Sequence, residues 1–406
     1  MTSTHTEESR ISQLRNLLIE PPSQALWKKL RELFYDWPAG DERDVGMEYA
    51  RSHLEQWSPT LRPAFTTYNS PLWPLVKTLD LSYTDIESYR QESLKTIESL
   101  RNIDTFILRY KSWLQLPKEI KKRFRSIKHL TLIHCNRKRV GHKIKMSFEE
   151  EDLPQLQSLT LRNCETLLDI HGLAKLPRLE SLSLHSLPPA FDTSCLQAAT
   201  QLRELTFHQC TFLEHLDFLS PFNRLEKLII QGVSDLRSIE SFANLESLRS
   251  LYITDGKDIP HLVPLEQLTW LEDIEIRSIS NVSTFPSLAK LTRLKRLILP
   301  QATSLYTLNV QNESLEEFYV SGLYWTHSIH METPSLQHCT FKDTRSLRKH
   351  GSRKNRPADT VITYGSEMPK LRYLRIEESP QSFQSHTPTE IQEHIQEAFT
   401  WVSPSA

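Results

Sequence analysis

The sequence predicts an α/β solenoid, in which one repeating unit stacks on the next to build a parallel β-sheet. Three observations predict this fold class. The chain of 406 residues contains 60 leucines, about one residue in seven. Through the middle of the chain these leucines recur every 23 residues. Only 9 glycines are present, and no glycine-rich phosphate-binding motif appears, which argues against the common nucleotide-binding α/β folds.

The repeating segment is Leu-x-x-Leu-x-Leu, with conservative replacements. Seven copies in strict register begin at Leu156, Leu179, Leu202, Leu225, Leu248, Leu271 and Leu294. Six less regular copies begin at Val76, Ile103, Ile127, Leu315, Leu336 and Leu371. Thirteen copies over about 300 residues indicate one continuous array rather than several ordinary domains.

Each copy predicts a short β-strand, because the apolar fourth and sixth positions alternate with polar residues. Leu159 and Leu161 are one such pair, and Leu228 and Ile230 are another. A period of two turns these pairs inward and the residues between them outward. One unit cannot cover its own apolar face, so neighbouring units must stack. Prolines near the end of the return segment, such as Pro177, predict 3₁₀ turns or brief helices there.

The stretch LQSLTLRNCETLLDIHGLAKLPR, from Leu156 to Arg178, resembles the leucine-rich repeat family and follows its L-x-x-L-x-L-x-x-[N/C]-x-L consensus. The resemblance covers roughly three quarters of the chain. The length of the repeats is similar to that of the bacterial classes, which have 22–23 residues. It implies a horseshoe-shaped solenoid with a parallel sheet on its concave side. The family's ladder position is rarely Asn here, which implies that apolar packing replaces an Asn ladder.

The ends of a solenoid need caps that shield the first and last layers of the core. In chain order, we expect a disordered N-terminus (1–8), a helical N-terminal cap domain (9–68), an array of about 13 repeats (69–380), and a C-terminal capping helix and tail (381–406). Ser23 suits the start of a helix in the first cap, and Pro388 suits the first turn of the last helix. The N-terminal domain is either a cap alone or a second binding module.

Polar residues on the outward side of the strands predict a partner-binding surface on the concave face. Neighbouring strands lie about 4.8 Å apart, so equivalent residues of successive repeats form columns. Tyrosine and arginine are frequent anchors of protein interfaces. The candidate residues are Arg109, Tyr110, Arg162, His185, His208, Tyr252, Arg277 and Tyr319. His185 and His208 share a column, but no third ligand accompanies them, so no metal site or cofactor is predicted.

Two departures from the period carry basic clusters. Lys118–Lys145 holds eleven Lys and Arg with one acid, and Arg345–Arg356 holds six with none. Both insertions follow a strand, so we expect both to emerge on the same edge of the solenoid. The candidate residues of these basic loops are Lys121, Lys122, Arg137, Lys138, Arg139, Arg348, Arg353 and Lys354. Such loops suit an acidic or phosphate-bearing partner, or a nucleic-acid backbone.

No HExxH, CxxC, GxSxG or paired-carboxylate motif is present, so the chain is not expected to be an enzyme. Four of the five cysteines (135, 164, 210 and 339) fall at core positions and are predicted to be buried. The sequence therefore predicts a non-enzymatic, cytoplasmic scaffold that binds a protein partner. One alternative is a polyanion or nucleic-acid binder that uses loops 118–145 and 345–356. Another is an adaptor in a signalling or defence complex.

Overall fold

The computed structural model describes residues 9–54, 56–57, 78–81, 103–109, 121–122, 124–135, 144–149, 153–343, 361–364, 368–377, 382–398 and 400–401. The chain divides into two compact units, Met1–Leu179 and Glu180–Ala406. Among the described residues, no helix is both long enough and apolar enough to cross a lipid bilayer.

The first unit begins with three helices: α1 (Arg10–Ile19), α2 (Gln24–Tyr35) and α3 (Asp41–Leu54). Helix α2 starts as expected, because the Ser23 side chain accepts a hydrogen bond from the backbone N–H of Leu26. The helices enclose a small apolar core of their own, in which Leu14, Trp27 and Phe34 are fully buried. The boundaries of the predicted N-terminal domain stay a prediction.

The repeats of the first unit supply four parallel strands. These are β1 (Thr78–Leu81), β2 (Thr105–Arg109), β3 (His129–Ile133) and β5 (Ser158–Arg162), each paired in step with the next. A small second sheet of this unit consists of β4 (Ile144–Ser147) and β6 (Leu167–His171). A 3₁₀ turn at Leu173–Lys175 completes the last repeat of this unit.

The second unit continues the same design with nine parallel strands. They are β7 (Ser181–His185), β8 (Glu204–His208), β9 (Lys227–Gln231), β10 (Ser250–Ile253), β11 (Asp273–Ile276), β12 (Arg296–Leu299), β14 (Glu317–Ser321), β16 (His338–Lys342) and β18 (Tyr373–Glu377). An antiparallel strand, β19 (Ser382–Ser385), ends this sheet. All thirteen predicted repeat strands are therefore present, and the predicted parallel-sheet solenoid is confirmed.

The return segments change character within the second unit. Up to Gln267 they contain the predicted 3₁₀ helices, at Thr193–Ala198, Asp217–Leu219, Glu240–Asn244 and Val263–Gln267. From Thr307 onward the prediction is wrong, because the return path forms a second parallel sheet. Its strands are β13 (Thr307–Gln311), β15 (Ser328–Glu332), β17 (Val361–Tyr364) and β20 (Thr400–Trp401).

The core consists of the inward leucines and their replacements, layer upon layer. Leu182, Leu205, Leu228, Leu251 and Ile274 are all fully buried. Burial of each such side chain stabilises the folded chain by about 1.5–3 kcal/mol relative to leaving it exposed to water. Cys135, Cys164, Cys210 and Cys339 are buried as predicted. The final helix, α4 (Pro388–Ala398), buries Ile391 and Ile395.

One backbone feature recurs seven places after the first apolar residue of a repeat, one or two residues beyond the end of the strand. That residue has a positive φ, between 50° and 76°, in ten repeats. The ten residues are His134, Asn163, Ser186, Gln209, Gly232, Asp255, Ser278, Gln301, Gly322 and Asp343. In this conformation the Ser186 N–H donates to the His208 carbonyl (2.8 Å) and the Gln209 N–H to the Gln231 carbonyl (2.7 Å). The turn thus extends the hydrogen-bond ladder of the sheet by one residue before the chain leaves it.

Candidate partner-binding face

The outward side chains of the second unit form the surface that we call the sheet face. Because strands β7 to β18 pair in step, equivalent residues of successive repeats lie side by side. The central column runs Ser183, Thr206, Ile229, Tyr252, Glu275, Ile298, Tyr319, Thr340 and Arg375. Two predicted partner-binding residues, Tyr252 and Tyr319, belong to this column.

A hydrogen-bonded group on three consecutive strands lies in the middle of the sheet face. Arg296 binds Asp273 with both arms of its guanidinium, since Nε lies 2.8 Å from Oδ1 and Nη2 lies 2.8 Å from Oδ2. The Tyr252 hydroxyl donates to the same carboxylate. Bidentate arginine–carboxylate pairs are geometrically specific. The phenol ring of Tyr252 and the Arg296 guanidinium are therefore held in fixed orientations.

The same group continues to Glu275 and Arg277. Arg277 Nε donates to Glu275 Oε1 over 2.8 Å, and Arg296 Nη2 lies 3.8 Å from Glu275 Oε2. The Glu275 side chain is only 18% exposed, whereas that of Arg277 is 52% exposed. Glu275 therefore positions the predicted site residue Arg277 and leaves about half of its guanidinium side chain facing solvent.

The electrostatics of this group favour stable protonation. Burial, and then the hydrogen bond to Asp273, raise the pKa of Tyr252 above its ordinary value. The hydrogen bond to Asp273 likewise raises the pKa of Arg296. Both side chains keep their protons at neutral pH. The group therefore presents constant hydrogen-bond donors and an aromatic ring, which suits recognition better than proton transfer.

The predicted pair His185 and His208 is brought together at the end of β7 and β8. Their ring centroids lie 5.2 Å apart at an interplanar angle of 31°, and both side chains are half-buried. Within the part of the chain that the structure describes, no group of three or more His, Cys, Asp or Glu could hold a metal ion. The two imidazoles lie side by side, tilted to each other, at the ends of neighbouring strands of the sheet face.

The remaining candidates fall in other places. Arg109 and Arg162 lie at the ends of β2 and β5 in the first unit, on either side of Ile133. Lys121 and Lys122 lie in a helical turn between β2 and β3. Tyr110, Arg137, Lys138, Arg139, Arg348, Arg353 and Lys354 lie outside the described residues.

A row of alternating charges runs along the edge where the strands of the second unit begin, and the prediction missed it. We call it the edge ladder. Its members directly follow the first leucine of each repeat: Glu180, Arg203, Glu226, Arg249, Glu272, Lys295 and Glu316. The N–H of each residue donates to the carbonyl of the previous one over 2.8 Å. The signal was present in the sequence as an acid and a base alternating one place after that leucine.

An exposed tryptophan lies on the same edge. Trp270 is 40% exposed, and its ring centroid lies 3.6 Å from Arg293 Cζ and 5.6 Å from Arg249 Cζ. Beside it is a groove of about 650 Å³ that Glu272, Arg293 and Lys295 help to line. Tryptophan and arginine together are typical of the residues that contribute most to protein interfaces.

Stacked 23-residue repeats with parallel strands in register and an apolar core define a leucine-rich repeat solenoid. The period is that of the bacterial type of repeat. In such a solenoid each repeat packs on its neighbours, so equivalent surface residues lie in fixed columns.

No protein-family model matches the chain, and no curated protein sequence matches it. Among solved structures, a leucine-rich repeat protein of Leptospira interrogans is 17% identical, covering 78% of this chain and 88% of that one, with a TM-score of 0.39. The leucine-rich repeat domain of the type III effector XopL is 17% identical, covering 74% and 98%, with a TM-score of 0.38. An internalin from Listeria monocytogenes is 16% identical, covering 93% and 100%, with a TM-score of 0.34.

Proposed function

We propose that the chain is a non-enzymatic scaffold that binds a partner protein on the sheet face of its second unit. The observation that carries the proposal is the group formed by Tyr252, Asp273, Glu275, Arg277 and Arg296. Its side chains are fixed by hydrogen bonds within the chain, so a partner would meet a surface that is already ordered. Ordering that is complete before association does not count against the binding free energy.

The composition of the sheet face supports a protein partner. Half-buried Ile229, Tyr252, Ile298 and Tyr319 present apolar area on both sides of Glu275. Around them lie hydroxyl, imidazole and guanidinium groups, which supply hydrogen bonds at the rim. A mixture of aromatic anchors with a polar surround is typical of protein interfaces.

Two buried cysteines, Cys210 and Cys339, favour a structural role over a catalytic one. Burial raises the pKa of both the Cys210 and the Cys339 thiols. A raised pKa keeps a thiol protonated, and the protonated thiol is a poor nucleophile. These side chains fill the core between repeats, which agrees with a scaffold.

Site-specific photocrosslinking in the native host tests the proposal. A benzophenone amino acid is placed at Tyr319, on the sheet face, and separately at Thr307, an exposed residue of the second sheet. We expect one protein to be crosslinked strongly from Tyr319 and not from Thr307. Adding Arg277→Ala or His208→Ala should weaken that crosslink several-fold, because both side chains belong to the same face.

The matched variant is Lys257→Ala, which removes a positive charge from a turn outside the sheet face and should leave the crosslink unchanged. Equal crosslinking from Tyr319 and Thr307 would contradict the proposal, as would a crosslink indifferent to both Arg277→Ala and His208→Ala. Either result would place the contact elsewhere on the chain.

A further inference from the structure

The edge ladder has a symmetry that the sheet face lacks. Six of its seven members, from Arg203 to Glu316, carry three positive and three negative charges in strict alternation. A row of alternating charges with an even number of members is self-complementary. If it is turned about a two-fold axis through its midpoint, every acid meets a base.

The midpoint of this row lies between Arg249 and Glu272. A two-fold axis there brings Arg249 of one copy opposite Glu272 of the other. It also brings Glu226 opposite Lys295, and Arg203 opposite Glu316. Each of these three pairs occurs twice, so all six members of the row find a charge of opposite sign. This is the arrangement of an isologous interface.

The spacing of the ladder further restricts which surfaces can be complementary to it. Neighbouring rungs belong to neighbouring strands, so their backbones are about 4.8 Å apart. The row has no net charge, so neither a uniformly acidic nor a uniformly basic partner is attracted to it over a distance. A complementary surface needs the same alternation at the same spacing. A second copy of this chain has both.

The ion pairs within the chain leave part of the ladder available. Among the described residues, Arg203 pairs with Glu180 (3.9 Å) and with Glu226, and Arg249 pairs with Glu272 (3.1 Å). In that described part, no ion pair joins Lys295 to Glu316, and both residues are exposed, although Glu316 accepts a hydrogen bond from Gln337 Nε2 over 3.3 Å. In the symmetric arrangement each of them would face an opposite charge.

Trp270 adds the apolar contact that a row of exposed charges does not provide. It precedes Glu272 by two residues, at the end of the repeat that begins at Leu248, and so lies next to the midpoint of the row. Its ring is flanked by Arg249 and Arg293 and is 40% exposed. Exposed ion pairs contribute little each, about 0–1 kcal/mol, so burial of an aromatic ring near the axis is the larger stabilising contribution.

We propose that two copies of this protein associate through the edge ladder, with the two-fold axis between Arg249 and Glu272. The six rungs span only about 24 Å, which corresponds to a small interface and to reversible association. The charges select the register, and Trp270 supplies the apolar centre. This inference does not depend on the proposed function, because the proposed function uses the sheet face of the second unit and the dimer uses the edge where its strands begin.

Sedimentation equilibrium of the full chain tests the proposal. At tens of micromolar protein and about 50 mM salt, the wild type should approach twice its mass of 47.4 kDa. At about 0.5 M salt it should return toward the monomer mass, since exposed charges are screened. Arg249→Glu and Glu272→Arg should each be monomeric at low salt, because each places like charges opposite each other at the axis.

An equimolar mixture of Arg249→Glu and Glu272→Arg should regain the dimer. In the mixed pair, the two glutamates of one copy face the two arginines of the other. The mixture does not repair the like-charge contact that each substitution creates within its own chain, so recovery must come from contact between copies. Thermal unfolding of each variant checks that the fold is retained.

Arg237→Glu is the matched control, because Arg237 also forms an exposed ion pair, with Glu214 at 3.5 Å, away from the ladder. This variant should dimerise like the wild type. A wild type that is monomeric throughout would overturn the proposal. So would a dimer that survives both single ladder substitutions, or variants that stay monomeric when mixed.

Discussion

At the scale of the residue, the position seven places after the first apolar residue of a repeat constrains the backbone. It has a positive φ in ten repeats, yet only two of the ten residues are glycine. A residue with a side chain is about 1–2 kcal/mol less stable in this conformation than in the right-handed one. Some of the polar residues there bond to one another, as Ser278 Oγ does to Gln301 Oε1 over 2.7 Å. Such contacts offset part of the strain.

Replacing Gly322 by Ala should lower the free energy of unfolding by about 1–2 kcal/mol. Its φ is +76°, and a Cβ there would lie 3.0 Å from the Cα of Gln301, which is backbone and cannot turn away. The matched variant is Gly256→Ala. Gly256 is buried in the next position of its turn, lacks a positive φ, and has a flexible Ile259 side chain as its closest neighbour.

Urea denaturation of both variants measures the difference. Gly256→Ala should stay within about 0.5 kcal/mol of the wild type, because other repeats carry Cys164, Val233 or Ala302 at that position. Equal losses from the two substitutions would show that crowding, and not the sign of φ, governs these turns.

We expect His129 to make the stability of the first unit depend on pH. Burial lowers the pKa of His129, an effect that Asp104 opposes and Lys128 reinforces. Its Nδ1 lies 2.8 Å from the hydroxyl of Ser158 on the adjacent strand. Because the pKa is lower in the folded chain than the unfolded value of about 6.5, the unfolded chain binds the proton more readily. The contribution to stability is complete above the unfolded pKa and is lost as the pH falls through the folded pKa.

His129→Asn should therefore reduce the loss of stability on acidification. The measurement is the free energy of unfolding from urea titrations at several pH values between about 7 and 5. The difference between wild type and variant should change steadily through this interval. Two parallel curves would mean that protonation of His129 does not oppose folding.

At the scale of the element, the period of the repeat determined what could be predicted. A 23-residue spacing predicts the inward leucines, the strand register and hence which residues share a column. The second sheet was not predicted, although the period shortens to 21 residues between Leu294 and Leu336. An extended return path covers about 3.3 Å per residue against about 2 Å in a 3₁₀ helix, so fewer residues suffice. The shorter period was the signal for β13 and β15.

The residues of the candidate site were likewise predicted only in part. Tyr252 and Arg277 were predicted because their places on the outward side follow from the alternation within the strand. Asp273 and Arg296, the partners of Tyr252, were missed, because they occupy the first position of the strand, which the prediction did not include. Which of several charged neighbours pair depends on side-chain rotamers, and the repeat does not determine those. The edge ladder, in contrast, could have been predicted from the sequence by comparing one more position, the residue after the first leucine, across the repeats.

At the scale of the whole molecule, the design is one-dimensional, because each repeat packs mainly on the repeats before and after it. Stability is then close to a sum of contributions from repeats and from the contacts between neighbours. The last repeat has a neighbour on one side only. In the second unit its other side is covered by β19 and α4, whose Ile391 and Ile395 are buried. Loss of this cover should therefore act locally rather than on the whole unit.

Ile395→Ala tests that expectation, since truncating a buried isoleucine typically costs about 2–5 kcal/mol. Hydrogen exchange followed by mass spectrometry should show faster exchange in β16 and β18, while β8 and β9 keep the wild-type rates. Gln392→Ala, an exposed change on the same helix, should leave every rate unaltered. A uniform acceleration across all nine strands would mean that the second unit opens as one cooperative body. The graded pattern would instead show that its C-terminal end opens first, so a partner bound near Tyr319 would also stabilise the end of the array.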